Sequence, residues 1–108
     1  MELILSKKAI KFIKKPSLKE QHRIQEKLAA LLDSLDLSGM IPFDELDVKA
    51  LEGDWKSFFR MRVGKVRVIF TVDSEQEELQ VYDIGSRGDI YKALKISPIE
   101  ESSNFLRG

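Results

Sequence analysis

Residues 59–70 read Phe59-Arg60-Met61-Arg62-Val63-Gly64-Lys65-Val66-Arg67-Val68-Ile69-Phe70, and their pattern decides the fold. Apolar and basic residues alternate on both sides of Gly64-Lys65, which is the period of a strand and not of a helix. A two-residue loop at Gly64-Lys65 suits a primed hairpin turn, whose twist matches that of the flanking strands. Such a loop pairs Val63 with Val66, Arg62 with Arg67, Met61 with Val68, Arg60 with Ile69 and Phe59 with Phe70. One face of the hairpin then carries Phe59, Met61, Val63, Val66, Val68 and Phe70, a surface that calls for a core. The opposite face carries Arg60, Arg62 and Arg67.

Arg62 directly opposite Arg67 is unfavourable, since like charges across a ladder cost roughly a few tenths to one kcal/mol. An anion seated between them removes that cost. Guanidinium groups suit phosphate because they stay charged and present a planar fork of donors. The plainer reading is a solvated basic face neutralised by Asp83 or Asp89.

Working outward, the spacing predicts strands over 47–51, 56–63, 66–72 and 79–84, with turns at Gly53-Asp54 and 73–78. Gly85-Ser86-Arg87-Gly88 breaks the last strand, and 89–94 reads as a short helical turn. Upstream, residues 2–5 form a first strand, and Ser6 is an N-cap for a helix with Ala9, Phe12 and Ile13 on one face. Pro16 ends that helix. Ser17-Leu18-Lys19-Glu20 reads as a capping box, followed by a longer helix over about 18–35 on which Ile24, Leu28, Leu31 and Leu35 recur. Residues 36–46 read as a loop. The order is β-α-α-β-β-β-β, an α+β domain whose helical hairpin packs on one face of a small antiparallel-rich sheet. The other face stays open to solvent or a partner. This domain spans 1–92, and 93–108 form a C-terminal tail, as a short helix or a loose segment.

The chain has 108 residues, enough for one core, and no cysteine, which excludes disulfides and thiolate metal sites. The single histidine, His22, excludes a two-histidine acid–base pair and a His-rich metal cluster; it falls beside the apolar stripe of the second helix, as a surface residue. The carboxylates of 33–54 lack a metal-ligand spacing. No metal and no cofactor is implied, and no apolar run marks a signal peptide or a membrane span, so the expected location is the cytoplasm. Eighteen basic and eighteen acidic residues cancel, yet unevenly. Residues 1–32 carry eight basic against three acidic, 33–54 one against seven, and 55–108 nine against eight. A zero sum therefore leaves room for a local cationic site. Lys7, Lys8, Lys11, Lys14, Lys15 and Lys19 read as the solvated side of the first helix, and Trp55 with Phe58 as packing.

The hairpin with its preceding Leu51-Glu52-Gly53, followed by Ile84-Gly85-Ser86-Arg87-Gly88-Asp89-Ile90-Tyr91, resembles the RelE/ParE toxin superfamily in order and spacing. The resemblance covers roughly residues 2–92. It implies a ribonuclease-like fold, a toxin of a type II toxin–antitoxin system, and ribosome-dependent cutting of mRNA in the A site. By matching positions it implies Arg62, Arg67, Arg87 and Tyr91 as catalytic residues, with Arg60 and Lys65 binding RNA phosphate. It also implies a cognate antitoxin, the ribosome and mRNA as partners. The three arginines suit phosphate charge but cannot serve as a base. Tyr91 stacks on a base or acts as a weak base if nearby cations lower its pKa. The chain departs from the family at Ser86, where many relatives have histidine or lysine, and in its longer tail. Two other readings stand beside this one: a ParE-like, non-enzymatic inhibitor of DNA gyrase, and an inactive relative serving antitoxin binding and autoregulation.

Overall fold

A computed structural model describes residues 1–15, 19–86 and 105–107 of the chain. Strand β1 (Glu2–Ser6) runs straight into helix α1 (Lys7–Ile13). Ser6 makes that junction: the Ala9 N–H donates to its Oγ at 3.1 Å, and the hydroxyl donates to the Tyr82 carbonyl at 2.7 Å. One buried side chain thus caps the helix and ties it to the sheet. Ser6→Ala strands both partners, and we expect it to lower stability by about 1–2 kcal/mol, read from urea unfolding.

Helix α2 (Gln21–Ser38) buries Ile24, Leu28, Leu31 and Leu35, the predicted stripe. It runs further than the sequence suggests and stops at Gly39, whose φ of +71° is the left-handed helix end that glycine adopts without strain. Residues 36–46 are accordingly not all loop, since a one-turn helix α3 (Phe43–Leu46) follows. Glu20 stands at the N-cap of α2 without a side-chain bond of its own. Ser17, the other half of the expected capping box, lies outside the described residues.

The remaining strands are β2 (Val48–Ala50), β3 (Phe59–Val63), β4 (Val66–Asp73), β5 (Glu78–Ser86) and β6 (Phe105–Arg107). They form one sheet in the order β2-β3-β4-β5-β1-β6. Only the β1–β5 pairing is parallel among the described strands. A single 3-10 turn, Gly53–Trp55, joins β2 to β3, and Asp73 Oδ1 caps the β4–β5 turn by accepting from Glu75 and Gln76 N–H. The architecture is the α+β arrangement read from the sequence, with β6 and α3 added.

The main core lies between the sheet and the helices: Ala9, Ile24, Leu28 and Leu31 meet Met61, Val63, Val66, Val68, Phe70, Leu79, Val81 and Ile84. The opposite face differs from expectation in one respect. It is not wholly open, because Phe58, Ile69 and Tyr82 form a second, smaller cluster there with Leu51 and Trp55 against it. Trp55 and Phe58 meet edge to face at 5.5 Å, and Phe58 meets Tyr82 at 5.4 Å. These aromatics are packing, and they cover one end of the sheet face while leaving Arg62 exposed.

Candidate functional site

The β3–β4 hairpin has the predicted register throughout: Val63 opposite Val66, Arg62 opposite Arg67, Met61 opposite Val68, Arg60 opposite Ile69 and Phe59 opposite Phe70. Gly64 takes the first turn position with φ +60°, and Lys65 has no positive φ, the pattern of a type II′ turn. A Cβ at position 64 would also sit 3.2 Å from the Glu20 side chain. The positive φ is what calls for glycine, and an added side chain would also oblige the Glu20 side chain to shift by a few tenths of an ångström. Lys65 lies exposed at the tip.

Arg62 is held by its backbone. Its N–H donates to the Asp47 carbonyl at 3.0 Å. Its own carbonyl accepts from Lys27 Nζ at 2.8 Å, and the same ammonium reaches the Leu46 carbonyl at 3.3 Å. Helix α2 thereby pins the strand that carries Arg62, while the guanidinium stays exposed. Arg67, half-buried, faces it across the ladder. Neither arginine forms an ion pair with a described residue.

Arg60 behaves differently. It points to the same face, yet it is 8 % exposed. Its nearest carboxylate is Asp47 at 4.0 Å, and its Nε and Nη2 are buried without a hydrogen-bond acceptor. Lys49 stands opposite it on β2, a second like-charge pairing that the sequence reading missed. Two unsatisfied donors on a buried cation are costly. We expect Arg60→Met, which keeps the aliphatic length, to raise stability by about 1–3 kcal/mol in urea unfolding. A loss of stability would mean that Arg60 is needed for packing.

Asp83 lies in the same cross-strand row, beyond Ile69: Lys49, Arg60, Ile69 and Asp83 are successive partners. It is 6 % exposed, and one oxygen accepts from the Ile84 N–H at 2.8 Å. Burial raises its pKa above the ordinary carboxylate value, with the Ile84 N–H and the Lys8 charge opposing. Arg87 and Tyr91 lie outside the described residues, as does Asp89, so the structure assembles Arg62 and Arg67 as neighbours, with Arg60 sunk beside them and Lys65 at the tip. His22 is exposed on α2 and pairs with Glu26 at 3.0 Å, on the helix layer and away from this face. No helix among the described residues is long and apolar enough to cross a membrane.

Comparison with known proteins agrees with the fold. No curated protein sequence matches the chain. Among solved structures it is similar to the archaeal RelE in the RelE–RelB complex from Pyrococcus horikoshii, at 26% identity and TM-score 0.55 over 78% of this chain and 91% of that one. It is also similar to the isolated E. coli RelE toxin, at 18% identity and TM-score 0.59 over 84% and 90%. The YoeB/ParE toxin from Agrobacterium tumefaciens shares the fold at 16% identity and TM-score 0.60 over 81% and 99%. The family model for the ParE toxin of type II toxin–antitoxin systems matches residues 3–91. With that match running from β1 through the helices and the hairpin to β5, the chain belongs to the ParE toxin family of the RelE/ParE superfamily of type II toxin–antitoxin toxins.

Proposed function

We propose that the chain is a ribosome-dependent endoribonuclease that cuts mRNA in the A site and so arrests translation. The observation that carries this reading is the pair Arg62 and Arg67, held in register on the sheet face with no acidic partner among the described residues. Such a pair destabilises the hairpin unless an anion sits on it, and a phosphate fits both forks. Arg87 and Tyr91 complete the site by the family pattern, and Arg60 and Lys65 add charge along the RNA. The acid–base set is poor, so much of the rate comes from positioning of the RNA by the ribosome. A cognate antitoxin partners the toxin, as RelB does RelE in the Pyrococcus horikoshii complex.

The test is primer extension on mRNA bound to programmed ribosomes. Cuts confined to A-site codons, absent with naked RNA, are the expected result. A second reading, binding and inhibition of DNA gyrase without catalysis, is favoured by the ParE family match and by serine at position 86. Intact mRNA together with blocked gyrase supercoiling would replace the first reading by the second. Intact mRNA and unimpeded gyrase would leave an inactive relative that serves antitoxin binding and autoregulation.

A further inference from the structure

The endonuclease reading offers only Tyr91, a weak base at best, because arginines do not accept protons at neutral pH. Strand β5 supplies a group for that role through an irregularity in its register. Leu79 and Val81 enter the core under the helices. Strict alternation would send Asp83 into that core as well and turn Ile84 outward. Instead the register shifts: Phe70 pairs with Val81, whereas Ile69 pairs with Asp83, so Tyr82 is the extra residue of a bulge. Ile84 thereby joins Val68 in the core, and Asp83 is turned onto the face of Ile69, Arg60 and Arg67. Bulges re-aim side chains in this way next to functional sites.

Asp83 then has a defined relation to the cationic pair. Arg67 is opposite Gly85, two residues further along β5, which makes Asp83 its diagonal neighbour at roughly 7–8 Å between backbones. Both residues belong to the same face of the sheet at those register positions. One Asp83 oxygen is occupied by the Ile84 N–H, and the other accepts no hydrogen bond from a described residue. The charged groups around it are Lys8 on α1, whose charge acts on it directly, Arg67 on β4, and Arg60 further along the row on β3. None of these lies within ion-pair distance of the carboxylate.

Resting on the endonuclease reading, we propose that Asp83 is the catalytic base, taking the proton of the ribose 2′-OH while Arg62 and Arg67 hold the adjacent phosphate. The free carboxylate oxygen gains the proton, the 2′-oxygen forms its bond to phosphorus, and the bond from phosphorus to the 5′-oxygen breaks. The 5′-oxygen leaves with that electron pair and takes a proton from water. The products are a 2′,3′-cyclic phosphate and a 5′-hydroxyl. Burial helps here, since a carboxylate with raised proton affinity is a stronger base near neutrality.

The experiment is single-turnover cleavage of ribosome-bound mRNA across pH by wild type, Asp83→Asn and Asp83→Glu. Asparagine keeps an acceptor for the Ile84 N–H, so the fold is retained. Because folding raises the proton affinity of Asp83, its contribution to stability is complete in acid and is lost as pH rises through the folded-state value. Asp83→Asn therefore melts above wild type near neutrality and level with it in acid. In the cleavage assay it is expected to be about a hundredfold slower and to lose the rise of rate with pH, while Asp83→Glu keeps that rise at a reduced rate. A wild-type rate in Asp83→Asn would overturn the assignment, and so would a slow rate with the wild-type pH dependence. A wild type that cuts no mRNA at any pH would overturn the endonuclease reading and this assignment with it.

Discussion

Arg67→Ala is expected to slow cleavage of ribosome-bound mRNA by about 100–1,000-fold, the loss typical of removing one preorganised donor from a developing oxyanion. The variant should fold as well as wild type or slightly better. Arg67 faces Arg62 in the ladder, and replacing one of two opposed cations removes a repulsion worth roughly a few tenths of a kcal/mol. Activity and stability therefore move in opposite directions, which separates a phosphate-binding role from a packing role. Arg62→Ala should behave alike, and the double variant should lose far less than the product of the two, because both act on one phosphate. Arg67→Lys restores charge without the planar fork, so partial recovery is expected. Measured by primer extension alongside thermal melting, a rate in Arg67→Ala within a few-fold of wild type would remove the arginine pair from the mechanism. A rate loss accompanied by a large fall in melting temperature would reduce it to a structural element.

The parts of the molecule that the sequence predicts correctly are those whose determinants are local. The hairpin register follows from a period-two pattern interrupted by a two-residue glycine turn, and all five predicted pairs are present. The apolar stripe of α2 follows from helical spacing, and Ser6 caps α1 as its position suggests. What the sequence hides is non-local. The parallel pairing of β1 with β5 joins residues far apart in the chain, and nothing in the pattern of either strand specifies its neighbour. The bulge at Tyr82 appears only when β5 is laid against β4. Without it Asp83 reads as a core-facing residue or a loose counter-ion for the arginines, so this part of the face was invisible. Arg60 shows the same limit: alternation places it on the correct face, but whether that face is covered depends on Leu51, Trp55 and Phe58 returning over the sheet. Lys49 escaped notice because its pairing with Arg60 needs the β2 register.

Phe70→Ala is the largest stability effect expected in the described structure. The ring is fully buried at the centre of the main core. It stacks on Phe59, its ladder partner, at 5.4 Å and 26°, and Phe59 in turn meets Phe43 of α3 at 6.0 Å. The row of rings thus links the hairpin to the segment after α2. Truncation removes the transfer energy of the ring and leaves a cavity that rigid strands on either side cannot close, a loss of about 3–5 kcal/mol. Against a total of about 5–15 kcal/mol for a domain, that takes the protein close to its unfolding threshold. Phe70→Leu fills much of the space and should recover most of the stability that Phe70→Ala loses. The arginine face lies on the other side of the same strand, so Phe70→Ala should also weaken cleavage, but only as the folded fraction falls. Urea unfolding gives the first quantity, and cleavage at low temperature, where the folded fraction recovers, gives the second. A variant that unfolds within about 1 kcal/mol of wild type would mean that the helices collapse onto the cavity, and that this core is more plastic than close packing allows. A variant that stays folded yet inactive at low temperature would mean that the ring sets the strand geometry on which Arg67 depends.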